Sequence, residues 1–181
     1  MSAPFGPKRG RRRAVAWGLV VAAALSVVAV AVARESLDGA VDATAAYHDV
    51  DKAIAAGYTF RLPELNGNTC VTEPGAGGMG VHMVNPDLLD STIDATKPEA
   101  MVYEPQRNGG LKLGAVEYVV FKSAWLGTEP PSLFGREFAL ILEPNRFGLP
   151  AFYALHAWIW KVNPAGLLSM WNPRVTCENA S

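Results

Sequence analysis

From position 151 to 161 the chain reads AFYALHAWIWK, apolar at nearly every step and rich in aromatics, with one imidazole in the middle. Such a run has no wet side. As a strand it must be covered on both faces, which calls for a sheet with a layer above and a layer below. Strand side chains repeat every second residue, so His156 is expected on one face with Phe152, Ala154, Trp158 and Trp160. A buried imidazole left without partners costs about 1–3 kcal/mol, so this ring calls for an explanation. Beyond it, Asn163-Pro164 and Asn172-Pro173 bracket a predicted helical turn over 165–171.

The remaining segments agree with a sheet protein. Apolar residues at three- and four-residue spacing (Ala43, Ala46, Tyr47, Val50, Ile54) predict a helix over 41–56, stopped by Gly57, with His48 pointing to solvent. Strands are predicted over 58–62, 81–84, 100–104, 111–121, 137–142 and 151–161, separated by Pro, Gly and Asn turns. The expected fold is therefore α+β. One amino-terminal helix precedes a curved, mainly antiparallel sheet or half-barrel of five or six strands, with one disulfide. In the longest strand Leu111, Leu113, Ala115, Glu117, Val119 and Phe121 are expected on one face, with Glu117 its only charge. Gly75 to Gly80 matches a dinucleotide-binding glycine pattern. Pro74 precedes it and a strand follows it, where that motif needs a strand and then a helix, so it reads as a glycine-rich loop allowing close backbone approach.

Lys8, Arg9 and Arg11 to Arg13 precede an uncharged run from Ala14 to Ala33, which ends in Ala31-Val32-Ala33. Residues 1–33 thus read as an export signal, or as an uncleaved anchor, since the run is just long enough to span a bilayer. A linker over 34–40 and a single domain over 41–181 follow. Membrane association is expected only through that first segment. Its five basic residues come out of a total of 16 Lys+Arg, leaving 11 against 17 Asp+Glu and a net charge of −6 for the exported part. Such a surface repels phosphate backbones, which excludes nucleic acid as a partner. The only two cysteines, Cys70 and Cys177, are expected to form a disulfide closing a loop of just over 100 residues. The loop-entropy model assigns about 4.7 kcal/mol to a loop of that order.

Four titratable residues lie in predicted strands among apolar neighbours: His82, Glu104, Glu117 and His156. Two imidazoles with one or two carboxylates suit a divalent transition metal. The plain alternative has His156 bonded to a backbone carbonyl and Glu117 paired with Arg136 or Arg174. Trp158 and Trp160, within a larger aromatic set, are candidates to line an apolar ligand cavity. No catalytic residue is assignable, because Ser123, Ser132 and Ser169 lie in no nucleophile-elbow context.

Several local patterns together resemble a family of bacterial exported proteins with no established activity. They are Gly78 to His82 with Asn85-Pro86, Tyr103-Glu104-Pro105, Val116-Glu117-Tyr118, and Leu155-His156 through Trp171-Asn172-Pro173 to Cys177. The resemblance spans roughly residues 45 to 177 and implies export and a single domain, with no chemistry attached. The residues themselves favour an exported module binding a small ligand or a metal. A metal-dependent enzyme using the same His/Glu set is the alternative, and a structural or interaction protein of the cell envelope the second.

Overall fold

The computed structural model describes Met1 and residues 37–180, and residues 37–180 belong to one unit. The expected export segment lies, apart from Met1, outside the described residues. Residues 37–40, read from the sequence as the end of a linker, are helical, and Ala40 is fully buried. Among the described residues no helix is long and apolar enough to cross a membrane.

The predicted helix is present but broken. Helix α1 covers 37–44, a 3-10 turn covers Ala45–His48, and α2 covers Val50–Ala55. The break falls at Asp49, which takes an extended backbone and accepts the Asp51 N–H at 3.1 Å, capping α2. Gly57 ends the segment with φ +98°, and Asn85 Nδ2 donates to the Ala56 carbonyl at 3.2 Å. His48 is exposed, edge-on to Trp160.

The strands are β1 Phe60–Arg61, β2 Cys70–Glu73, β3 Gly77–Val84, β4 Ala100–Pro105, β5 Leu111–Phe121, β6 Ser132–Leu133, β7 Arg136–Glu137, β8 Ala139–Ile141 and β9 Phe152–Ala157. Seven of them form one antiparallel sheet in the order β1-β3-β4-β5-β9-β8, with β2 also against β3; β6 and β7 pair separately. β1 and β2 lie end to end along one edge of β3. The far edge is β8, which pairs only with β9, so the sheet is open and not the curved half-barrel expected. Cys70 and Cys177 are disulfide-bonded across a sequence separation of 107, holding the carboxyl-terminal segment to β2.

The sheet is covered on both faces, as the apolar run at 151–161 requires. One face carries Met83, Met101, Tyr103, Val116, Tyr118 and Leu155 beneath the helical segment, with Tyr47 and Val50 packed on them. Its tyrosines keep their hydroxyls paired: Tyr103 donates to the Tyr47 carbonyl at 2.7 Å and Tyr118 to the Ala95 carbonyl at 2.7 Å. The other face carries Val102, Ala115 and Trp158, covered by Val175.

Three departures from the sequence reading decide what lies on that second face. First, Leu113 sits with the helix-side core and not with Ala115 and Glu117. Tyr103 pairs with Leu113 and Val102 with Ala115, leaving Gly114 as an extra residue, and such a bulge inverts the alternation beyond it. Second, β9 stops at Ala157, because the Trp158 N–H turns to the Leu167 carbonyl at 2.9 Å and the Trp160 N–H to the Gly114 carbonyl at 3.1 Å. Trp160 therefore joins the helix-side core, and residues 165–171 form turns instead of a helical turn. Third, only Gly75 and Ala76 of the glycine run lie in a turn, and Gly77 to Gly80 form the first half of β3 instead of a loop. A Cβ on Gly77 would lie 2.3 Å from the Asn172 carbonyl oxygen, because the chain at 172–173 crosses directly over it.

Candidate metal centre

Sheet register brings the buried polar residues together. Glu117 of β5 is paired with His156 of β9, so their side chains emerge side by side on the face away from the helices. His82 of β3 lies two strands away, opposite Val102, and one step along the face from the row that Ala100 shares with Glu117. Ala100 is the reason this gap can close. A methyl group between Val84 and Glu117 leaves room for the imidazole to lean across β4. Gly80, with φ +105°, supports the approach from below, since a Cβ there would lie 2.4 Å from the Tyr103 carbonyl oxygen.

His82 Nε2 lies 3.2 Å from His156 Nε2 and 3.4 Å from Glu117 Oε2, while His156 Nδ1 lies 3.5 Å from Glu117 Oε1. One ligand atom from each of the three residues falls within 4.8 Å of the other two. The imidazole planes cross at 85°, and Trp158 stacks on His156 at 6.1 Å between ring centres. His82 and His156 are 1% and 2% exposed and Glu117 is 8%, so the cluster is closed to bulk water.

Burial sets the electrostatics. It lowers the His82 pKa to about 4, with the Gly80 backbone acting weakly in the opposite direction. It lowers His156 well below the usual range, and neighbouring His82 adds to this. It pushes Glu117 up to about 8, aided by Glu99. Without a cation, the three groups therefore rest neutral near pH 7, two imidazoles beside a carboxylic acid. This neutral set is poorly satisfied, because Nδ1 of His82 and Nδ1 of His156 are buried with no hydrogen-bond partner.

Glu104, the fourth residue singled out from sequence, does not join the cluster. It shares the face with Val102, yet lies four residues along β4 from Ala100, about 13 Å at strand spacing. There it is bound to Lys161 Nζ at 2.9 Å. The arginine partners considered for Glu117 are also not found: among the described residues the basic side chains beside its carboxyl are the two histidines alone. Among the described residues, neither tryptophan lines the cavity that Glu117 borders. Trp158 donates from Nε1 to the Ser169 carbonyl at 2.6 Å, and Trp160 donates to Thr44 Oγ1 at 3.1 Å.

Two features escaped the sequence reading. Glu99, 2% exposed, accepts the Val119 N–H at 2.9 Å; burial pushes its pKa up to about 8, and once ionised it opposes ionisation of Glu117. Its signal was a lone acid directly abutting the apolar strand at 100–103. The second is a cavity of ≈ 90 Å³ beside Glu117, walled by Phe60, Leu62, Phe121, Phe147, Leu149 and Phe152 among others. Phenylalanines make this wall, where tryptophans were expected.

Comparison of the chain with known protein families, with curated proteins and with solved structures finds no match.

Proposed function

We propose that this chain is an exported domain that binds a divalent transition metal through His82, Glu117 and His156. The observation that carries the reading is the geometry of the three buried donors. Ligands about 2.0–2.1 Å from a tetrahedral ion stand about 3.3–3.4 Å from one another. The distances from His82 Nε2 to His156 Nε2 and to Glu117 Oε2, 3.2 and 3.4 Å, match that edge. A cation also gives the cluster a reason to exist, since a purely structural core gains little from a buried carboxyl forced neutral beside two imidazoles that burial also keeps neutral. Two nitrogens and one oxygen suit zinc or ferrous iron. The basic, then apolar, amino-terminal segment and the Cys70–Cys177 disulfide support export to an oxidising compartment.

A metal-dependent enzyme is the second reading. It is favoured by the count of protein ligands, because three donors leave at least one coordination position for water or substrate. Elemental analysis of the purified chain, with zinc titrated into chelator-treated protein, tests the proposal. One equivalent bound, a raised melting temperature, and loss of both in Glu117→Gln and His156→Ala are expected. Absence of stoichiometric metal, with no melting shift at saturating zinc, overturns it.

A further inference from the structure

The cavity beside Glu117 touches the cluster through that one residue. Its remaining wall is hydrocarbon: phenylalanines at 60, 121, 147 and 152, with leucine, valine and alanine between them. A water molecule held in place needs two to four polar partners, and this wall offers one polar side chain. Its ≈ 90 Å³ equals about three waters at liquid density, the room of roughly three or four methylenes.

The charge of the loaded centre defines the other end of an occupant. A dication with one carboxylate and two neutral imidazoles carries a net single positive charge in a site closed to bulk water. A monoanion neutralises it and fills the open coordination position. A donor atom entering past Glu117 from the cavity side stands next to a ligating carboxylate, where a further ligand of the same ion belongs.

We infer that this cavity is the seat of an exogenous metal ligand, a short-chain monoanion such as an alkyl carboxylate, with its donor at the Glu117 end and its tail among the phenylalanines. The inference rests on the metal reading and names its ligand class. The cobalt(II)-loaded chain titrated with formate, acetate, propionate, butyrate and hexanoate, followed by visible absorption, tests it. Affinity should tighten roughly three- to fourfold per methylene as far as butyrate, then level off as the cavity fills. Leu89→Trp, a change at the partly exposed rim, should flatten the series, and Phe147→Ala should move the plateau to longer chains. Cobalt content measured on the same samples separates the two ideas. Stoichiometric cobalt with no dependence on chain length overturns the ligand assignment alone, as does an equal chain-length series measured by calorimetry in metal-free protein. Absence of bound cobalt removes the metal reading and this inference with it.

Discussion

Raising the pH of metal-free protein from 6.5 to 8 should destabilise it, through two buried carboxyls. Glu117 and Glu99 each have a folded pKa pushed from 4.5 up to about 8 by burial. Between those values the folded state holds each proton and the unfolded chain has lost it. The unfolded state thus binds fewer protons, and stability falls with pH at about 1.4 kcal/mol per unit for each group. Over 1.5 units, with the folded carboxyls themselves beginning to ionise near pH 8, two groups remove about 3 kcal/mol, a large part of the stability of an ordinary domain. Below pH 6.5 the histidines oppose this trend. His82 has a folded pKa lowered from 6.5 to about 4, and His156 is lowered as well, so each binds its proton in the unfolded chain first. Two protons gained and two lost on unfolding cancel between about pH 4.5 and 6.5, which gives a plateau. Urea unfolding at half-unit pH steps, with chelator present and the disulfide intact, measures the profile. Glu117→Gln and Glu99→Gln should each halve the slope above pH 6.5. Stability that stays level from pH 6.5 to 8 in metal-free protein would refute the claim that these carboxyls are held protonated. Zinc should reverse the trend, since binding requires ionised Glu117 and so tightens towards pH 8.

Cys177→Ser should lower stability by ~2–5 kcal/mol, read by denaturant titration, while the unreduced wild-type chain shows no alkylatable thiol by mass. Glu104→Gln should leave zinc affinity unchanged by calorimetry, because the side chain is engaged with Lys161 away from the cluster; a tenfold loss would place Glu104 in the site. Gly80→Ala should cost about 1–3 kcal/mol in a thermal or denaturant assay, from its left-handed backbone and the close Tyr103 carbonyl; a neutral change would mean β3 and β4 can separate at that point.

Much of this protein was legible because it is written in neighbouring residues. The period-two pattern of 111–121 and the unbroken apolar run at 151–161 are local, and both became strands of a sheet covered on two faces. Two cysteines admit one pairing, and Cys70–Cys177 is that pairing. Lone ionisable groups in apolar strands stand out from sequence alone, and three of the four noticed, His82, Glu117 and His156, meet. What the tertiary structure alone decided is register, which depends on partners far away in the chain. Glu117 faces His156 only because β5 and β9 pair with those residues opposed, across thirty residues of intervening hairpin and loops. The bulge at Gly114 inverted the facing of Leu113, the turn of the Trp158 N–H toward Leu167 cut β9 short, and the length of β4 carried Glu104 away from the cluster. Glu99 and the phenylalanine-lined cavity arise where separate segments converge, a property of packing that no spacing within one strand encodes.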